Sequence, residues 1–368
     1  MSIHAAKPDG RPSGGPSGPG GRRTLLVRVG LLVALLGAVA VAIAGLIPGS
    51  TQRLERASTG GVVTAILAEA LACAAYADLF HTIFSGGRWR LSPLRSVQVG
   101  LAELAAFVVV PTGIGGPALR VWALLRSGLP FAAIVERSVV HAAVLNLPFA
   151  VAAAVLGVTV VTGLGPGHAS TLVALAPLAL IIVLTALALL MARYLRADAV
   201  PPGPGWQRFG HDAADAIPGG IRQIPAALRS PRRLAGGLVY WAGDCGVLIL
   251  TFAALGGSPP LGTIVLAYLL GQLGNALPLP GGIGGVEPLM LGVLSSSGVD
   301  LGLGGAAVLL YRIISLGLQT LLGTIAVLSL TPALTTERSA GEEGAGAISS
   351  GSAEGAPGTP SVPEPTTR

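Results

Sequence analysis

LPLPGGIGGVEP, residues 277–288, lies between two strongly apolar stretches and holds three prolines, four glycines and a carboxylate. Glycine frees the backbone and proline removes an amide donor, so the stretch breaks helix where its surroundings favour continuous helix. An earlier stretch has the same form. Pro111-Thr-Gly-Ile-Gly-Gly116 and Pro280-Gly-Gly-Ile-Gly-Gly285 differ at a single position. Glu103 and Gln272 each stand eight residues before the break's proline, and Gly128 and Gly298 close a short apolar arm after it. An arginine follows each arm, Arg137 and Arg312, at different spacing. This is an internal repeat, and an internal repeat decides the architecture.

Composition sets the solvent. Charged residues make up 11% of the chain, hydrophobic ones 52%, and mean hydropathy is +0.73, whereas a soluble domain carries roughly 25% charge. Several apolar runs, beginning with residues 24–47, reach the roughly 20 residues that a helix needs to cross hydrocarbon. Those that follow are 61–84, 94–110, 131–161, 171–193, 234–255, 261–279 and 301–330. The runs at 117–128 and 286–297 are too short to cross, and each follows a break. The net charge of +6 raises nucleic acid as a partner, but the arginines cluster in short loops beside apolar runs and report orientation instead. Lys7 is the one lysine. Cys73 and Cys245 fall inside predicted membrane helices, where free cysteine acts as a small hydrophobe; no disulfide, metal site or cofactor follows from them. The histidines at 4, 81, 141, 168 and 211 show no ligand spacing, which argues against an enzyme acting on lipids.

Residues 1–23 and 335–368 are rich in Pro, Gly, Ser and Glu and read as disordered cytoplasmic tails around a transmembrane region at 24–334. Arg22, Arg23 and the run after them imitate a signal peptide, but its apolar core is too long, so a retained helix is expected. Repeat one covers about 61–163 and repeat two about 234–331, with a helix and a cytoplasmic loop between them at 170–233. With the N terminus inside, Arg88, Arg90, Arg95, Arg120 and Arg126 fall at the cytoplasmic base of the first broken hairpin. The uncharged linkers 163–170 and 256–260 fall outside; Arg53 and Arg56 dissent from this scheme. An odd number of crossings separates the hairpins, so one enters from the cytoplasm and the other from outside. The expected fold is an all-α polytopic membrane protein, an inverted-topology repeat with two broken, re-entrant-like hairpins.

Non-helical backbone at membrane depth is tolerated where it is buried in protein or lines a wet cavity. The breaks are therefore expected to border a cavity, with Gly113, Gly115, Gly116, Gly282, Gly284 and Gly285 allowing close approach. Each short helix aims its N-terminal amides at the middle of the protein, an arrangement that favours anions. Arg312 sits roughly 17 Å from the outer end of its helix, too deep to snorkel, and either faces a pathway or pairs with Glu287 or Asp244. Arg120 and Arg137 lie nearer the cytoplasmic surface and either reach the cavity or anchor helix ends. Glu103 either binds a proton or cationic headgroup or pairs with Arg120; its counterpart Gln272 carries no charge. Glu287 also suits a helix N terminus. Asp244, central in its helix, is preferred over Glu69, Asp78 and His81 for the cavity. Asn275, His141 and Asn146 either line it or bond between helices.

The pattern P-x-G-I-G-G-x-E, a short arm ending in glycine, and Leu310-Tyr311-Arg312 are joined by the earlier P-T-G-I-G-G-P and Glu136-Arg137. Together they resemble the flippase-like family named for the transmembrane region of lysylphosphatidylglycerol synthetases, over roughly residues 61–330. The resemblance implies an inner-membrane protein that moves a lipid headgroup between leaflets, with Gly282, Gly284, Gly285, Glu287 and Arg312 near its site. No aminoacyl transferase domain is expected after Leu330, so lysine transfer to lipid is not. The expected function is a lipid flippase handling a phosphate-containing headgroup in the plasma membrane, with both termini cytoplasmic. The alternatives are a secondary carrier of a small anionic solute and a non-transporting assembly or regulatory protein.

Overall fold

The computed structural model describes residues 49–86, 90–110, 114–163, 206–276 and 279–351, with isolated positions between 175 and 193. The run at 24–47, most of 171–193, Arg88 and Gly113 lie outside the described residues. The elements are helical: α1 Ser50–Glu55, α2 Thr59–Phe84, α3 Pro93–Val109, α4 Gly115–Arg126, α5 Phe131–Val161, α6 Trp206–Leu228, α7 Pro231–Ala254, α8 Leu261–Gly271, α9 Val286–Ser296 and α10 Leu301–Gly351. Two short 3₁₀ segments, Gln272–Ala276 and Pro280–Gly282, join α8 to α9. Serine hydroxyls open two of the helices, Ser58 Oγ accepting from the Gly61 amide at 3.3 Å and Ser92 Oγ from the Arg95 amide at 3.2 Å.

Among the described residues, four helices are long and apolar enough to cross a membrane, Thr59–Phe84, Phe131–Thr159, Pro231–Ala254 and Leu301–Leu330. The chain is a polytopic, all-helical membrane protein. Hydrocarbon gives helices no hydrophobic reason to associate, so close backbone approach at small residues takes over. Helices α2 and α7 follow that rule and run antiparallel: Gly236 faces Ala75 and Leu79, Gly243 faces Ala68 and Ala72, and Gly61 faces Ala254. At that end the Ser58 amide donates to the Ala254 carbonyl at 2.8 Å. Exposed Arg53, which dissented from the charge pattern, pairs there with Asp300 at 2.9 Å. The opposite end holds Arg232 with Asp78, and Ser85 Oγ donating to the Leu91 carbonyl at 3.1 Å.

In each repeat the two arms around the break pack on one another. Gly115 lies under Ala106 and Val110, Gly271 against Met290, and Gly274 against the Gly285–Val286 backbone. The second break packs against the first unit: a side chain at Gly281 would touch Val108 at the end of α3 and Leu316. Gly281 and Gly284 have φ of 57° and 84°, left-handed values that a side chain resists.

Two segments depart from the compositional reading. The stretch read as a cytoplasmic loop holds α6, which rests on α5 through Gly219 and Gly220, with Gln223 Nε2 donating to Glu136 Oε2 at 2.9 Å. Its small residues Ala216, Gly220 and Ala227 recur at helical spacing on the buried side while Asp212, Asp215 and Arg222 face out, a pattern that charge counting alone hides. Helix α10 runs to Gly351, past the boundary set at residue 335.

Candidate functional site

A cavity of about 510 Å³ lies between the two breaks. Its walls come from both repeats: α2 to α5 on one side, and α7, the 3₁₀ segments and α10 on the other. Of the candidate residues, Glu103, Gly116, Arg120, Asp244, Gln272, Asn275 and Arg312 line it. His141 and Asn146 line it too, and Asn146 donates to the Ala142 carbonyl of its own helix rather than across helices.

The first repeat supplies a buried but loosely satisfied cluster. Arg120 Nη1 stands 3.4 Å from Glu103 Oε1 and 3.3 Å from His141 Nδ1, and its guanidinium carbon lies 5.8 Å from the centre of the Phe84 ring. Glu103 Oε2, Arg120 Nε and His141 Nε2 are buried with no hydrogen-bond partner among the described residues. Buried polar atoms normally find partners, so three orphans on one cavity wall are unusual. Gly116 lets α4 begin directly against Glu103.

The second repeat is tightly satisfied. Glu287 accepts from the Gly284 amide at 2.6 Å and from Arg312 Nε at 2.8 Å, while Arg312 Nη2 donates to the Gly281 carbonyl. The carboxylate thereby fills the N-terminal end of α9, and the arginine clamps the turn. The pairing of Arg312 with Glu287 is one of the two arrangements its depth suggested. Gly282, Gly284, Gly285 and Glu287 form the turn behind the wall and do not themselves line the cavity, and Gly115 is pressed beneath α3.

Arg137 is placed elsewhere. It donates to the carbonyls of Phe84 and Gly86, beside Arg233 donating to the Thr82 carbonyl at 2.9 Å. These cations satisfy the orphan carbonyls at the end of α2, which is what placed an arginine there.

Asp244 anchors a second polar group. Its Oδ2 accepts from Tyr268 at 2.7 Å and Tyr311 at 3.0 Å, and its Oδ1 from Ser315 at 2.9 Å. Ser315 also reaches Glu69 Oε1 at 3.5 Å, and Gln319 Nε2 donates to that oxygen at 2.9 Å. Tyr268, Ser315 and Gln319 are not singled out by the sequence, Tyr311 enters it only within the Leu310-Tyr311-Arg312 motif, and Glu69 ranks there below Asp244. A signal existed: Tyr311, Ser315 and Gln319 follow one another at four-residue spacing, and Glu69, Cys73 and Tyr76 share a face in the same way. Polar stripes inside apolar helices mark the wall that faces other helices.

The fold and site define a polytopic helical membrane protein with a polar internal cavity between two broken-helix units. Residues 25–323 match the family described as the lysylphosphatidylglycerol synthase TM region, and the chain belongs to that family. Among curated proteins, it is similar to two UPF0104 membrane proteins of Methanothermobacter thermautotrophicus. One is 37% identical over 89 residues, 24% of this chain and 27% of that protein; the other is 36% identical over 92 residues, 25% of this chain and 26% of that protein. The match thus spans about a quarter of each relative's length.

Proposed function

We propose that this chain is a flippase-type transporter that carries a phosphate-containing lipid headgroup across the cytoplasmic membrane, using its two broken units as an inverted pair of re-entrant hairpins. The observation that carries this reading is the cavity between the breaks, walled by both repeats and bearing Arg120. A cation inside a membrane span is costly and is kept for a partner or a pathway. Arg312 is committed to Glu287 and Gly281, whereas Arg120 holds its carboxylate at 3.4 Å and leaves Nε unpartnered among the described residues. The start of α4 at Gly116 lies on the same wall, and its first turn holds no acidic residue of its own. Arg120 and that helix end form the headgroup subsite.

The base of the first unit lies near Phe84 and Pro93, and that of the second near Ala254 and Leu301, at opposite ends of α2 and α7. That separation suits alternating access, with the cytoplasm on the arginine-rich side and both termini there. The reading assigns the chain no covalent chemistry.

Transport is tested in vesicles containing the purified protein and a panel of fluorescent anionic, zwitterionic and aminoacylated lipids. Faster exchange of an anionic phospholipid between leaflets, lost in Arg120→Gln, is the expected result; unchanged asymmetry across the panel contradicts it. A volume of about 510 Å³ also suits a headgroup-sized solute. Flux of small soluble anions without lipid movement selects that second reading. Lower abundance of the variant with no transport of either kind selects an assembly role.

A further inference from the structure

We propose that Glu69 and Asp244 form a proton-binding pair behind the cavity, holding one exchangeable proton between them. Glu69 is wholly buried on α2 and Asp244 nearly so on α7. Both lie within 3.5 Å of the single Ser315 hydroxyl. Among the described residues neither carboxyl has a cationic partner; the buried ion pairs go to Glu103 and Glu287 instead. Two like charges this close in a desolvated site do not both ionise.

Hydrogen bonding divides the roles. Asp244 accepts three hydroxyl donors, from Tyr268, Tyr311 and Ser315. Glu69 has Gln319 on Oε1, a long contact from Cys73 Sγ at 3.8 Å, and no hydrogen-bond partner among the described residues on its buried Oε2. An ionised carboxylate with a bare buried oxygen is unfavourable. An O–H bond on Glu69 removes the charge. When Asp244 on the cavity wall takes a proton from water, the Ser315 hydroxyl turns its one hydrogen to Glu69 Oε1 and accepts the Asp244 proton in its place, so the hydroxyl is restored and one proton has moved to Glu69.

The donors surrounding the pair also favour a proton over a metal cation. Hydroxyl and amide hydrogens point at the carboxyl oxygens, where a sodium ion needs converging lone pairs. The other titratable or charged groups facing the pair are Cys73 on α2, Tyr240 and Cys245 on α7, Tyr268 on α8, and Tyr311 with its neighbour Arg312 on α10.

The pair is wired to the second break. Tyr311 bonds Asp244 and accepts from Gln272 at 3.3 Å, and Gln272 accepts from Asn275 at 2.6 Å inside the 3₁₀ segment. Loss of the proton changes the charge at one end of this chain of bonds, and the break stands at the other. The site is therefore suited to couple proton movement to the transport proposed above, and that coupling role rests on the transport reading.

Infrared difference spectra of the purified protein in lipid nanodiscs, recorded between neutral and alkaline pH, test the site without any lipid substrate. A buried carboxylic acid carbonyl band that disappears on alkalinisation, is absent in Glu69→Gln and persists in the double variant Glu103→Gln/Arg120→Gln is the expected result. Ser315→Ala, which retains both carboxyls, is expected to shift the band. A band untouched by Glu69→Gln, or one discharged by sodium chloride at constant pH, overturns the proposal. The coupling role is tested with fluorescent anionic lipid in vesicles under an imposed pH gradient: a response in the wild type that Glu69→Gln removes supports it, and an equal response in both overturns it. A protein with the band but no lipid movement keeps the proton site and loses the transport reading.

Discussion

Arg312 and Glu287 show why a charge is retained where hydrocarbon makes it costly. Each is nearly buried, and together they hold the Gly281 carbonyl and the Gly284 amide, backbone groups that the break leaves without helical partners. Removing one partner leaves an uncompensated buried charge, at a cost of about 3–5 kcal/mol. Arg312→Met alone is therefore expected to lower the thermal midpoint of the detergent-purified protein sharply, with Arg312→Met/Glu287→Leu recovering part of the loss. Equal midpoints for the single and double variants contradict the pairing. The same logic applied to Glu103 and Arg120 gives a functional prediction. Glu103→Gln/Arg120→Gln removes both charges at once, so the protein is expected to elute as the folded wild type does while anionic-lipid movement falls to background. Depth within a helix made Arg312 legible as a charge needing a pathway or a partner, without choosing between these or between Glu287 and Asp244. The Glu69–Asp244 arrangement was not, because it depends on α2, α7 and α10 converging, and the polar stripe around Glu69 marks a helix-facing wall without identifying partners 175 to 250 positions away.

At the scale of elements, small residues fix how closely the helices approach. A side chain at Gly323 would strike Ala105 and the Leu101 backbone of α3, whereas one at Gly317 on the same helix meets open space. Gly323→Val is expected to cost about 1–3 kcal/mol by overpacking, read as a lower thermal midpoint, while Gly317→Ala leaves it unchanged or slightly raised. Gly284→Ala has room for its methyl group but not the backbone geometry, and a left-handed non-glycine residue costs roughly 1–2 kcal/mol. A Gly284→Ala midpoint equal to the wild type contradicts the turn described here. The breaks and short arms were readable because proline and glycine act locally. Helix α6 was not, since its polar face resembles a loop to any count of charges and its buried face is recognised only by helical spacing.

At the scale of the molecule, two near-identical breaks are legible in the sequence of one chain, and the structure packs Val108 of the first unit near Gly281 of the second. What the sequence left open was which polar groups share that space. The cavity gathers Arg120, Asp244, Gln272 and Arg312 from different helices but leaves Arg137 at the end of α2. The central claim is that the units enter from opposite faces of the membrane. Arg126 and Ser296 end the two short arms and are exposed. Introduced singly as Arg126→Cys and Ser296→Cys, with Cys73 and Cys245 replaced by alanine, they report those faces to a membrane-impermeant maleimide. In intact cells the account predicts labelling of the Ser296→Cys protein alone, and in inside-out vesicles of the Arg126→Cys protein alone. Labelling of both from the same face contradicts it.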